Sequence, residues 1–197
     1  MMNDTIKDLK TEQAFANQIQ KTFKTARVRV VREKRVEVIM SADMIPPYLT
    51  HAKNQHDFEH LTHISCVDWL EEGHFELVYI LWSYSMNIQL LVKCRIPRHE
   101  PEFISIHKIW DHAETYEREI HEMYGITFAG NDNLGEFLLE DWDGPPPMRR
   151  DFDTVKYSQE NFKDRMDARQ DAQNVRETIT KRSGEEMPDF AKPYSLR

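Results

Sequence analysis

The sequence predicts an α+β domain of two layers, a mixed or antiparallel sheet with packed helices, followed by an extended proline-rich strap and a tail. Three observations predict it. Runs rich in valine, isoleucine, leucine and aromatic residues, within Ala26–Met40, Ile64–Trp69, Phe75–Ser83 and Ile88–Ile96, have the composition and length of strands. Around them, apolar residues recur every three or four positions, the period of a helix with one buried face. Beyond Gly125 both patterns stop and glycine and proline take over. The domain is therefore assigned to residues 1–125 and the strap and partner-binding tail to 126–197.

Taken in order, Asp4 or Thr5 can cap a first helix whose apolar stripe is Ile6, Leu9, Phe15, Ile19 and Phe23. Val28, Val30, Val36, Val38 and Met40 alternate on either side of Glu33-Lys34, which predicts a hairpin turning there. Ser41 and Asp43 are candidate caps for a short helix that starts near Pro46-Pro47 and runs towards Phe58. Ile64–Trp69 reads as a strand ending in a turn at Glu71-Glu72-Gly73. Phe75–Ser83 and Ile88–Ile96 are the two clearest strands, joined through Ser85-Met86-Asn87. Pro97 and Pro101 then break the pattern.

A long helix is expected from about Phe103 to Tyr124. Ile106, Ile109, Trp110, Ala113, Tyr116, Ile120 and Met123 form its buried face, and Gly125 caps its end. The strap holds Gly130, Gly135, Gly144 and the triplet Pro145-Pro146-Pro147, which fixes backbone angles and removes hydrogen-bond donors. In the tail, Phe162, Met166, Val175 and Ile179 mark a loose amphipathic helix. A segment that buries so little by itself is disordered or lies on another protein.

The bulk numbers narrow the function classes. The chain has 197 residues and is 40% hydrophobic, with 10 Phe, 7 Tyr and 4 Trp, enough to build a core. A net charge of −8 argues against a nucleic-acid binder, which needs a basic stripe. The acid is concentrated: ten Asp or Glu lie between Asp111 and Asp143 against the single basic residue Arg118. Such a run is a solvated face or a surface that meets a basic partner.

Two cysteines, Cys66 and Cys94, cannot supply the four thiolates of an iron–sulfur cluster or the ligand set of structural zinc. Both sit in apolar strands and read as buried thiols of a reducing cytoplasm. The longest apolar run, Leu77–Trp82, has six residues, far short of the roughly 20 that a membrane span needs. Met1-Met2-Asn3-Asp4-Thr5 lacks the basic, apolar and small-residue order of a signal peptide, so any membrane contact is expected through partners.

Catalytic constellations are sparse. His51, His56, His60 and His63 cluster, and His56 and His60 stand four apart, as two ligands on one helix face would. A third ligand is not identifiable, and histidines at a polar helix end more often bind solvent. This leaves a stand-alone metalloenzyme as the rival class. Walker, dinucleotide and nucleophile-elbow patterns are absent. Glu119 and Glu122 could serve acid–base chemistry, but Glu114, Arg118 and Glu122 at four-residue spacing predict a salt-bridged helix face.

The segment Glu117-Arg118-Glu119-Ile120-His121-Glu122-Met123-Tyr124-Gly125-Ile126-Thr127-Phe128 resembles the signature of the 30-kDa subunit family of respiratory complex I. Downstream, Glu140-Asp141-Trp142-Asp143-Gly144-Pro145 and Arg149-Arg150-Asp151-Phe152 resemble that family's E-D-W-x-G-x-P-x-R-K-D-F. Upstream, Val67-Asp68-Trp69 and Phe75-Glu76-Leu77-Val78-Tyr79 resemble its V-D-Y and F-E-V-V-Y strands. The likeness covers roughly residues 60–155. Where complex I members read G-H-P-D-L-R-R, this chain reads Gly130-Asn131-Asp132-Asn133-Leu134-Gly135-Glu136. That departure, with three consecutive prolines, is similar to the family's cousins in membrane-bound [NiFe] hydrogenases and related ferredoxin-linked complexes.

The resemblance implies a non-catalytic subunit without cofactor or metal. It would dock on a hydrogenase-like large subunit near an iron–sulfur small subunit, peripheral on the cytoplasmic side of the membrane. The parent complex would be of hydrogenase type, or alternatively an NADH or F420H2 dehydrogenase. Expected docking residues are Glu117, Arg118, Glu119 and Glu122 on the helix, with Trp142, Arg149, Arg150, Asp151 and Phe152 on the strap. The helix charges serve equally well as a structural capping network.

Overall fold

Residues 74–97 organise the molecule. β4 (His74–Ser83) and β5 (Ile88–Pro97) run antiparallel over their full lengths and turn at Asn87, which takes a left-handed φ of 54°. In the computed structural model, residues 9–161, together with 174 and 177, are described. The chain divides into two compact units, residues 1–152 and 153–197.

The first unit is α+β. α1 (Lys10–Thr22) leads into the hairpin of β1 (Arg27–Arg32) and β2 (Arg35–Ile39), which turns at Lys34 with φ 59°. α2 (Ile45–His56), β3 (His60–Trp69), β4 and β5 follow. The sheet order is β1-β2-β5-β4-β3, antiparallel except for the parallel pair β2–β5. Alternation then sorts the side chains. Phe75, Leu77, Tyr79 and Leu81 are fully buried beside Val36, Val38, Leu90, Val92 and Cys94. They share one core with Phe15 and Ile19 of α1 and Tyr48, Leu49 and Ala52 of α2. The intervening positions carry charge, with Glu37 accepting ion pairs from Arg29 at 2.8 Å and Lys93 at 2.9 Å.

Several boundaries differ from the sequence expectation. α1 begins at Lys10 with no side-chain cap, and Asp4, Thr5 and Ile6 lie outside the described residues. Ser41 and Asp43 do not cap α2: a 3₁₀ turn, Ala42–Met44, intervenes, and the helix starts with Pro46 and Pro47 in its first turn. β3 starts four residues earlier than its apolar run, because His60 and Thr62 face outward on an edge strand.

The largest difference lies between Pro101 and Ala113. The expected long helix is a short strand, β6 (Glu102–Ile104), a series of turns, and then α3 (Ala113–Tyr124). β6 pairs in parallel with β7 (Thr127–Ala129), at the start of the strap, matching Phe103 to Phe128. Ile106 and Trp110 are buried as expected, but from a turn in which both Ile109 and Trp110 donate to the Ile106 carbonyl.

Side chains from this segment also bond the main chain of edge strand β3 and its approach. Trp110 Nε1 donates to Glu59 O at 2.8 Å, His112 Nε2 lies 2.8 Å from Leu61 O, and Tyr116 Oη donates to Thr62 O at 3.0 Å. In the second unit, α4 (Thr154–Asn161) is capped by Asp153, whose Oδ1 accepts the amides of Val155 and Lys156. The expected tail helix through Phe162, Met166, Val175 and Ile179 lies outside the described residues.

Candidate docking site at the strap

Asp68, next to last in β3, lies on the buried face, its side chain 1% exposed, where a carboxylate needs partners. It has three hydrogen bonds. Arg98, just beyond β5, donates Nε to Oδ1 at 2.9 Å and Nη2 to Oδ2 at 3.1 Å. The Arg150 amide donates to Oδ2 at 2.9 Å. Arg98 Nη2 reaches on to Asp151 Oδ1 at 2.6 Å, so one guanidinium joins strand and strap. Burial pushes the Asp68 carboxyl up, but the Arg98 and Arg150 hydrogen bonds outweigh it and hold it below the usual aspartate value. The hydrogen bond from Arg98 likewise lowers Asp151, and the two carboxylates raise Arg98.

The strap also closes the end of α3. The Met148 amide donates to Met123 O at 3.0 Å and Arg149 Nε to Tyr124 O at 2.7 Å, satisfying carbonyls that a helix end leaves orphaned. The guanidinium groups of Arg98 and Arg149 lie 5.6 and 5.5 Å from the ring of Phe75. Gly125, at φ 73°, ends the helix. A Cβ there would stand 2.9 Å from Arg149 Nη2 and 3.0 Å from Pro146 Cγ, so the strap's close approach needs the missing side chain. Trp142 donates Nε1 to Pro145 O at 3.2 Å and packs edge-on to Phe152 at 6.0 Å, within the strap itself. Arg150 and Glu71 form an exposed ion pair at 2.6 Å.

The charges of α3 act mainly on their own chain. Glu117 is fully buried and accepts Ser105 Oγ at 2.5 Å, the Ile106 amide at 2.7 Å and Asn131 Nδ2 at 3.0 Å. Burial raises its pKa despite these donors. It pins the turn after β6 to the start of the strap and presents no surface to a partner. Arg118 donates to the Gly135 carbonyl at 2.9 Å and to that of Glu136, with its guanidinium 5.2 Å from the ring of Phe137. Glu122 accepts three consecutive amides, Phe137 at 2.7 Å, Leu138 at 2.8 Å and Leu139 at 3.3 Å. Burial works to raise the Glu122 carboxyl, and those amides bring it below its usual value. The expected Glu114–Arg118–Glu122 salt-bridged face is thus replaced by bonds to residues 133–139, Glu114 taking Asn133 Nδ2 at 2.5 Å. Glu119 is half-buried, and its carboxylate makes no hydrogen bond or ion pair among the described residues.

Of the nine expected docking residues, the structure thus brings Arg149, Arg150 and Asp151 together. Glu117, Arg118 and Glu122 hold the first part of the strap. The partners that sequence reasoning missed are Asp68, Arg98, Phe75, Tyr124, Ser105 and Asn131. Asp68 had a signal, because period two from Ile64 and Cys66 sets it on the core face. Arg98, in a loop between prolines, had none.

The histidines pack against rings. His56 lies 5.3 Å from Phe15 and 5.2 Å from His51, and His51 lies 5.2 Å from Phe23. Burial, then the neighbouring His51, lower the His56 pKa. Among the described residues no group of three or more His, Cys, Asp or Glu side chains is placed to hold a metal ion. Cys66 and Cys94 are buried free thiols, as expected. No helix among the described residues is long and apolar enough to cross a membrane.

The family model of the respiratory-chain NADH dehydrogenase 30 Kd subunit matches residues 38–158, which include every residue of the Asp68–Arg98–Asp151 brace. The chain belongs to this family. A subunit of the F420H2 dehydrogenase of Methanosarcina mazei is 32% identical over 120 residues, covering 60% of this chain and 76% of that one. A subunit of the NADH-quinone oxidoreductase of Moorella thermoacetica is 30% identical over 141 residues, covering 70% and 93%. Among solved structures, a chain of the membrane-bound sulfane sulfur reductase, an archaeal respiratory membrane complex, superposes with a TM-score of 0.71 at 31% identity. It covers 78% of this chain and 92% of that one. Each of these relatives is a subunit or chain of a larger complex.

Proposed function

We propose that this 30 Kd family member is a non-catalytic docking subunit of a membrane-bound oxidoreductase that couples electron transfer to ion translocation. It sits on a hydrogenase-like large subunit beside an iron–sulfur small subunit, peripheral on the cytoplasmic side, and reaches the membrane through partners alone. The observation that carries this reading is the brace. The motif residues spend their polar groups on fixing the strap to the domain, which favours a preset surface over a reaction site. Such a scaffold stabilises an assembly by binding its folded form, without handling electrons. Glu119, Trp142 and Phe152 are the docking residues in contact with the partner, and Arg149, Arg150 and Asp151 hold them in place.

The sequence Gly130–Glu136, in place of the G-H-P-D-L-R-R of complex I members, favours a membrane-bound [NiFe] hydrogenase-type complex. The identity to the F420H2 dehydrogenase relative favours the second reading, an F420H2 or NADH dehydrogenase. Mild-detergent affinity purification from native membranes, with mass spectrometry of the co-purified chains, tests both. A hydrogenase-like large subunit bearing metal-binding cysteine pairs is the expected result. The same large subunit without those pairs moves the assignment to a dehydrogenase. A lone monomer overturns the docking role.

A further inference from the structure

The segment held by α3 does more than close the fold. Arg118 and Glu122, one turn apart, make five bonds to consecutive main-chain groups from Gly135 to Leu139. The backbone is fixed, yet two of its three large apolar side chains are not spent inside, while Leu139 is half-buried. Phe137 is 38% exposed and Leu138 56% exposed. Large apolar groups held outward on an immobilised loop bind at little further cost in conformational entropy, the property that distinguishes an interface anchor from a loose surface residue.

The surroundings state what receives them. Residues 131–147 carry five carboxylates, Asp132, Glu136, Glu140, Asp141 and Asp143, and no lysine or arginine. All five are exposed. Arg118, the nearest cation, is turned onto the loop itself. Along the chain the anchor is flanked by Glu136 on one side and by Glu140 and Asp141 on the other, an acidic rim. An anionic lipid surface would repel that rim, and a second copy of this chain offers the same charge.

We propose that Phe137 and Leu138 form a preset apolar anchor that enters an apolar pocket rimmed by lysine or arginine on another subunit of the complex. The proposal rests on the docking role above and adds a contact to those of Glu119, Trp142 and Phe152.

The test uses the full chain in its native membranes. Leu138 is replaced by the photo-reactive p-benzoylphenylalanine, with Val31, exposed on β1, as the control position, and the complex is irradiated and mapped by mass spectrometry. In parallel, Leu138→Asp is purified through a tag, and its yield of partner subunits is compared with that of the wild type. The expected result is a cross-link from position 138 alone to an apolar site flanked by Lys or Arg. Leu138→Asp, with an unchanged melting temperature, should lower partner yield at least about tenfold. Three outcomes overturn the anchor while leaving the docking role intact, each with the wild type co-purifying normally. These are full partner yield from Leu138→Asp, a cross-link to a second copy of this chain, and a cross-linked site without basic residues. If the wild type itself brings down no subunit of an oxidoreductase, the docking role and the anchor fall together.

Discussion

Replacing Asp68 with alanine removes the carboxylate that joins β3 to the strap. The loss is the two bonds from Arg98, at 2.9 and 3.1 Å, and the one from the Arg150 amide, at 2.9 Å. Breaking a buried pair by deleting one member costs about 3–5 kcal/mol, because the other charge stays uncompensated. Here Arg98 is 16% exposed and keeps Asp151, which argues for the lower end, about 3 kcal/mol. For a chain of this size that corresponds to a melting temperature lower by about 6–12 °C. Thermal unfolding followed by circular dichroism reads the loss. Trypsin cleavage after Arg149 and Arg150 reads its location, since the strap should open before the sheet. Asp151→Asn, at a carboxylate 50% exposed, should cost no more than about 1 kcal/mol. If Asp68→Ala melts within about 1 °C of the wild type and the strap stays resistant, the brace is not what holds it. The depressed Asp68 and Asp151 values set the pH range as well. The stability they contribute is present above the ordinary aspartate value of 3.8 and is lost only as pH falls below it towards their folded values.

Two further outcomes follow from the same geometry. Glu117 has a raised pKa in the fold, so its ionisation weakens the native state as pH rises from the ordinary 4.5 through the folded value. Acidifying towards 4.5 should therefore raise the denaturation midpoint through Glu117, against the opposite pull of His56, whose lowered pKa disfavours the protonated ring in the fold. Glu117→Gln should abolish that rise and cost about 1–3 kcal/mol at neutral pH, as its amide nitrogen meets donors; an unchanged pH profile in the variant would refute this. Gly125→Ala should destabilise more than Gly73→Ala in chemical denaturation. Both glycines have positive φ, but only at Gly125 does a Cβ meet other atoms. Strain alone at Gly73 is worth about 1–2 kcal/mol, and equal losses would show that the strap tolerates the extra carbon.

The reach of the sequence follows the range of the forces that shape each element. β4 and β5 were legible because ten-residue strands dominated by Leu, Ile, Val and aromatics carry their pairing in local composition. The hairpin was legible because Glu33-Lys34 interrupts its alternation. The segment after Pro101 was not, because Ile106, Ile109 and Trp110 fall at helical spacing while Phe103 is claimed by Phe128, 25 residues on. No local pattern encodes a parallel pairing across a helix. Of the candidate site, the motif blocks located Arg149, Arg150 and Asp151, but spacing along α3 suggested ion pairs where the strap's main chain offered better partners to Arg118 and Glu122. Glu117 misleads for the same reason: among charged neighbours a buried carboxylate looks like a surface one, and only Ser105 and Asn131, brought in by the fold, reveal it.

The side chains that bond the carbonyls along β3 also bear on how the sheet meets other chains. A sheet with free rims is a template, and a second chain can extend it strand by strand. Here β3 is one rim, and Trp110, His112 and Tyr116 occupy the acceptors of Glu59, Leu61 and Thr62. The other rim, β1, carries Arg27, Arg29 and Arg32 and is bulged between Val30 and Arg32. Growth by backbone zippering is thereby discouraged at both ends. Contacts with other molecules are left to side chains, whose chemistry can distinguish one surface from another, as an amide ladder cannot.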